Sequence, residues 1–302
     1  MDKLAAMRSF VEIVDRGSLT AAGEALDKSL PSMVRTLAAL ERELGARLLH
    51  RTTRRMSLTE EGRGYLERCR RILVEIEEAE RELASDPVEP RGELRVTAPV
   101  LFGQLHIAPV VRAFLRRFDA VRVELVLLDR VVHLVDEGID AAIRIGALED
   151  SSMIATTLGH VRRVVCANPE ILERDGVPAS PRELADRECV LFRGLASGAH
   201  WQFRRPGERG LTVRVDGGFR CNQAAPAIEA CAEGLGFGLF LSYQVDSLVR
   251  AGKLRVVLEE WEPVPLPVSV VYPDARWMPS RLRAFVDLLK DEIGGRPQFQ
   301  TD

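Results

Sequence analysis

Between Lys28 and Arg71 the chain carries eleven basic residues against five acidic ones, Glu41, Glu43, Glu60, Glu61 and Glu67. A local excess of six positive charges suits one chemistry above others, the neutralisation of a phosphate backbone. A solvated, charged helix face is the plainer reading of the same run. The whole chain has a formal net charge of −3, which argues against a protein that coats nucleic acid indiscriminately. The basic stretch is therefore local, and whatever folds it must present it on one face.

Residues for covalent or metal chemistry are not arranged to perform it. The sequence lacks G-x-S-x-G, H-E-x-x-H and a P-loop, so the common routes to nucleophilic, zinc and nucleotide chemistry are absent. His106, His133, His160 and His200 are scattered, with no carboxylate or thiol at a catalytic spacing. Gly234-Leu-Gly236-Phe-Gly238 follows a helical pattern and precedes a strand, the reverse of the order in a dinucleotide loop; it reads as a helix end and tight turn. Cys69, Cys166, Cys189, Cys221 and Cys231 form no C-x-x-C pair and no zinc spacing with histidine, so reduced, buried thiols are expected. An α/β enzyme stays open only because doubly wound domains host many reactions.

The elements that would position the basic stretch are legible. At 302 residues the chain has length for about two or three domains. Leu4, Met7, Phe10, Val11 and Val14 recur at helical spacing, ending near Gly17. Ser18 caps a short helix from Leu19 to Leu26, whose Ala21, Ala22, Gly23 and Ala25 allow a close crossing. A third helix begins at Ser29 or Leu30 with Pro31 in its first turn and runs to about Leu44. Two short helices joined by a tight turn form a helix-turn-helix. Arg51-Thr52-Thr53-Arg54-Arg55 followed by Met56-Ser57-Leu58 alternates as a small β-ribbon would. The wing and the groove-facing helix nominate Ser18, Ser29, Pro31, Ser32, Met33, Arg35, Thr36, Arg51, Thr52, Thr53, Arg54 and Arg55 as DNA-binding residues.

Thr59 then caps a long helix whose Leu66, Cys69, Leu73, Ile76 and Leu83 form an apolar seam. The expectation is that Leu66, Cys69, Leu73 and Ile76 hold a dimer, although the seam could pack on its own chain. The domains divide as 1–59 for DNA binding, 60–86 for the linker helix and 91–302 for a second domain, with a two-proline hinge at Asp86 to Gly92. Beyond it strands at Glu93–Ala98, Val121–Leu128, Ala141–Ile145, Val161–Ala167, Phe237–Leu241 and Pro267–Tyr272 alternate with helices. That predicts a mostly parallel, doubly wound α/β sheet in two lobes, with ligand beyond the strand ends at Thr97, Ala98, Pro99, Val100 and Phe102 and at Arg144 and Gly146. No signal peptide or membrane span can be placed at the start, so cytoplasmic residence is expected.

Ser18-Leu-Thr-Ala-Ala, Leu40-Glu-Arg-Glu-Leu-Gly45, Arg51-Thr-Thr-Arg-Arg and Leu58-Thr-Glu-Glu-Gly62 together resemble the LysR-type transcriptional regulators. The resemblance continues through Leu94-Arg-Val-Thr-Ala-Pro99, Val135 to Gly146 and Gly234 to Gly238. It implies a winged helix-turn-helix joined to a periplasmic-binding-protein-like effector domain, lobe I spanning about 91–164 and 267–292 and lobe II about 165–266. It also implies double-stranded operator DNA, a small-molecule effector of the organic-acid kind, a homodimer or homotetramer and a compatible RNA polymerase contact as partners, with no cofactor. Asn222 and Gln223 would stand at the matching helix start of lobe II. The resemblance departs at Leu30 and Val34, where the family often has glutamine and serine, so an operator sequence does not transfer. Some relatives sense peroxide through a cysteine pair, but no resolving cysteine lies between Val190 and Phe203.

Overall fold

The computed structural model describes residues 2–51, 56–83, 89–147, 153–194, 198–273 and 278–300. Thr52, Thr53, Arg54 and Arg55, and Asp86 to Val88 of the expected hinge, lie outside them. The chain divides into two compact units, Met1–Glu93 with Trp277–Arg281, and the remainder.

Capping chemistry sets the N-terminal unit. α1 (Lys3–Arg16) starts from Asp2, whose carboxylate accepts a hydrogen bond from the Ala5 N–H at 3.0 Å. Ser18 and Ser29 do the same for α2 (Leu19–Ala25) and α3 (Leu30–Leu44), each accepting at 3.4 Å from the N–H three residues on. β1 (Leu49–Arg51) and β2 (Met56–Leu58) pair antiparallel as the wing. Thr59 opens α4 (Glu60–Leu83): its hydroxyl donates to the Arg47 carbonyl at 2.7 Å and accepts from the Gly62 N–H at 2.9 Å.

The core of this unit joins Phe10 and Ile13 of α1, Ala22 of α2, and Met33, Leu37 and Leu40 of α3 to Leu66, Cys69 and Leu73 of α4. Two expectations fail in this core. The seam of Leu66, Cys69 and Leu73 is used within the chain, because α1 supplies the apolar partner expected from a second chain. Ile76, one turn further on, is half-buried. Met33 is fully buried and therefore does not face a DNA groove.

In the C-terminal unit, lobe I is a five-stranded sheet of order β4-β3-β5-β14-β6. The chain forms β3 (Gly92–Ala98), α5 (Val100–Phe102), a π-turn at Gly103–Ile107, α6 (Ala108–Arg117), β4 (Val121–Leu127), β5 (Ala141–Ile145) and β6 (Met153–Val161). Lobe II follows with β7 (Arg163–Ala167), α7 (Pro169–Asp175), β8 (Cys189–Phe192), the hairpin of β9 (His200–Phe203) and β10 (Leu211–Arg214), and β11 (Arg220–Cys221). It finishes with α8 (Ala224–Ala232), β12 (Phe237–Leu241), α9 (Ser242–Arg250) and β13 (Arg255–Val257), in a sheet of order β11-β8-β12-β7-β13. β14 (Leu266–Pro273) and α10 (Ser280–Leu289) return to lobe I.

The expected strand Val161–Ala167 is two strands in different sheets, separated by Arg162 alone. The sheets are also mixed rather than mostly parallel: β14 runs antiparallel to β5 and β6, and β7 antiparallel to β12 and β13. The chain leaves lobe I on β6 and re-enters it beside β6 on β14, Val161 opposite Leu266, and strands joined in that way run antiparallel as in a hairpin. No helix among the described residues is long and apolar enough to cross a membrane.

Candidate functional site

The exposed face of the helix-turn-helix is the start of α3. Leu30, Pro31, Val34 and Arg35 are exposed there, with Ser32 and Thr36 half-buried beside them. The Ser29 hydroxyl is exposed but engaged as a cap, and Ser18 is half-buried in the same role on α2. Arg35 donates from Nε to the Pro31 carbonyl at 3.3 Å, which lays its stem along α3 while the guanidinium stays at the surface. Arg51 lies in β1 of the wing; the wing residues Thr52 to Arg55 are outside the described residues.

The second site is a cleft of about 800 Å³ at the strand ends of both lobes. Of the residues nominated from sequence, Thr97, Ala98, Pro99, Val100, Arg144, Gly146 and Gln223 line it. Asn222 and Phe102 are not among the lining residues. Phe102 is fully buried one layer behind, its ring 4.9 Å from His106, 5.1 Å from Tyr243 and 5.7 Å from Phe299. The wall also takes in Leu128 to Leu134 beyond β4, Phe192 at the end of β8, and Tyr243 and Gln244 at the start of α9. These are strand ends as well: the sequence marks β4 and β12 as strands, so the rule that singled out β3 and β5 extends to their ends, and only β8 goes unmarked.

Charge in the cleft is specific. Arg144 donates from Nη2 to the Val132 carbonyl at 2.8 Å, and burial lowers its pKa, an effect that the charge of Glu137 opposes. Glu137 and Asp140, carboxylates close to Arg144 in the sequence, are both held elsewhere. Glu137 pairs with Arg130 through contacts of 2.6 and 2.8 Å, and Asp140 accepts from the Arg95 backbone N–H at 2.7 Å. Among the described residues no carboxylate forms an ion pair with Arg144. In lobe II the first turn of α8 reaches the cleft through Gln223, Ala224 and Ala225, with no side chain capping it. Arg130, already paired with Glu137, and Asp129 line the cleft as well; apolar walls with the Arg144 guanidinium and a few polar groups fit a small anion with an apolar body.

The sequence from residue 4 to 63 matches the family of bacterial regulatory helix-turn-helix proteins of the lysR type, and residues 88–294 match the LysR substrate binding domain. The chain belongs to the LysR-type transcriptional regulators. A transcriptional repressor of Pseudomonas aeruginosa is 37% identical over 302 residues, covering 99% of this chain and 95% of the relative. The regulator PtxR of the same species is 35% identical over 291 residues, covering 96% and 92%. The solved structure of CrgA, a LysR-type transcriptional regulator from Neisseria meningitidis, superposes with a TM-score of 0.62 at 32% identity, covering 98% of this chain and 99% of that one. This LysR-type regulator thus combines a DNA-binding unit with an effector-binding domain, and these three relatives are named for transcription rather than catalysis.

Two buried cysteines of this regulator, Cys166 and Cys189, are poor sensor thiols. Cys189 is buried on β8, and burial followed by the charge of Glu188 pushes its pKa up to about 12. Cys231 lies 3.3 Å from the carbonyl oxygens of Cys166 and Gly236, and its hydrogen bond to Cys166, with burial, raises the Cys166 pKa further. Thiolate is the reactive form, and these environments suppress it. Cys221, half-buried, accepts from the Gln223 N–H at 3.4 Å and is separated from Cys231 by α8.

Proposed function

We propose that this regulator binds a pseudo-palindromic operator as a self-associated pair of chains in the cytoplasm, with α3 of each entering the major groove. A small organic acid held by Arg144 modulates that binding or the promoter response, with RNA polymerase as the partner through which it reaches transcription. The observation that carries the effector reading is Arg144 itself, a half-buried cation in an apolar cleft whose sequence-local carboxylates are engaged elsewhere. An effector carboxylate would supply the charge that burial makes costly to leave unpaired. Self-association uses a surface other than the Leu66, Cys69 and Leu73 stripe, since that stripe is core.

A thermal-shift screen over aliphatic and aromatic carboxylates tests the effector half. A ligand at 100 times its Kd stabilises by about 2.7 kcal/mol, a rise of a few degrees in Tm, and Arg144→Gln should lose that rise. Hits that stabilise Arg144→Gln and the parent equally would place the acid elsewhere. For the operator half, neutralising about six phosphates gives a slope near −5 in log affinity against log salt. Equal affinity for scrambled duplex would defeat it.

A further inference from the structure

Two large apolar side chains sit on the exposed face of α3, Leu30 at 44% and Val34 at 36% exposure. They are four residues apart, so they lie one above the other on the same face, and Arg35 is exposed beside them. The opposite face of α3, Met33, Leu37 and Leu40, already fills the core of the unit. Leu30 is the first residue of the helix, Pro31 follows it, and Val34 is one turn in. This is the N-terminal end of a recognition helix, the part that reaches base edges.

An apolar pair at that place has one matching feature in a major groove. The base edges there present nitrogen and oxygen donors and acceptors, and the only hydrocarbon group is the 5-methyl of thymine. Leu30 or Val34 set against guanine, cytosine or adenine would displace water from a polar edge without replacing its hydrogen bonds, which is unfavourable. Set against thymine, each buries a methyl. Their separation along the helix axis is about 6 Å, and base steps are about 3.4 Å, so together they address positions within about two steps of each other.

We infer that Leu30 and Val34 are the specificity-determining residues of this regulator, reading thymine methyl groups in each operator half-site while Arg35 and the wing hold phosphate or a neighbouring base. The inference rests on the operator-binding reading above, and the experiment separates the two. The full chain selects duplexes from a random pool, and the enriched duplex is rebuilt with deoxyuridine for thymidine at one position at a time, which removes only the methyl. Affinity should fall about threefold to fivefold at one or two nearby positions in each half-site, the worth of one buried methyl. Leu30→Ala with Val34→Ala should bind both duplexes equally, with an unchanged salt slope and an unchanged melting temperature, because neither side chain is part of the core. Equal binding of every deoxyuridine duplex by the parent would overturn the inference and leave operator binding intact. So would full discrimination kept by the double variant, or a double variant that loses self-association instead of discrimination. A pool that yields no enriched duplex would overturn operator binding and this inference together.

Discussion

Asp129 holds the N–H of Val100, its carboxylate oxygen 2.9 Å from that nitrogen at the first turn of α5. N–H groups at a helix start suit an anionic ligand; the protein fills the Val100 position with its own carboxylate. Asp129 also lines the cleft, so an acid bound by Arg144 works against a like charge. Asp129→Asn keeps an acceptor for Val100 and removes that charge. Carboxylate affinity measured by calorimetry should rise about threefold to tenfold, the scale of roughly 1 kcal/mol between charges near a surface. Weaker binding would mean that Asp129 serves a cationic group of the ligand.

Leu73→Glu should unfold the N-terminal unit rather than merely separate two chains. Leu73 is 8% exposed and packs in one cluster with Phe10 and Cys69, so a carboxylate there costs about 3 kcal/mol or more. The denaturation midpoint should drop by the same amount at every chain concentration. A variant with parental stability and altered sedimentation would return the stripe to the interface.

Gly23→Ala tests the tight turn between α2 and α3. A Cβ at Gly23 would stand 2.5 Å from the Lys28 carbonyl oxygen and 3.3 Å from the Met33 side chain, and the first of these is backbone that cannot swing aside. The Lys28 N–H donates to the Gly23 carbonyl at 2.8 Å, so the clash also strains the bond that closes the turn. Alanine should cost about 1–3 kcal/mol and lower operator affinity by displacing α3. Unchanged affinity and stability would show that the turn yields.

His106 predicts a pH dependence. Burial first, then the charge of Arg296, pull its pKa down to about 4, with Asp246 acting the other way. Its Nδ1 lies 3.3 Å from Arg296 Nη1, the Arg296 guanidinium is 3.7 Å from Glu292, and the rings of Phe102, Tyr243 and Phe299 enclose the imidazole. A folded pKa below the unfolded value near 6.5 means that the unfolded chain binds the proton first as pH falls. Stability is therefore full above about pH 6.5 and is lost as pH falls toward 4, by about 2 kcal/mol at pH 5. Urea midpoints taken from pH 7.5 to 5 should show that loss in the parent and not in His106→Phe; parallel curves would assign it to other groups.

Local signals carry far in this sequence, and contacts between distant segments do not. Ser18, Ser29 and Thr59 read as caps and act as caps, because a cap involves a side chain and a backbone N–H three residues away. The periodicity that marks Leu66, Cys69 and Leu73 as buried is also correct, but periodicity names a face and not its partner, and the partner is α1. Thr97 and Arg144 are reachable from strand ends, and Gln223 from the family resemblance. The strands before Asp129 and Tyr243 are legible too, but which of the side chains that follow them face the cleft depends on register across both lobes. β9, β10, β11 and β13, two to four residues each, are too short for alternation to show.

Lobe II begins and ends at one point: Arg162, the single residue between β6 and β7, pairs with Glu262, just ahead of β14, at 3.0 Å. Every strand of the lobe I sheet comes from outside that interval, and every strand of the lobe II sheet from inside it. In topological terms lobe II is an insertion into a finished sheet, with its two ends already touching. Excising it and joining Val161 to the chain before Leu266 by a short linker leaves lobe I with all five strands and their order intact. The same geometry makes lobe II a cassette that can be exchanged between scaffolds, carrying the α8 half of the cleft with it while Arg144 stays behind.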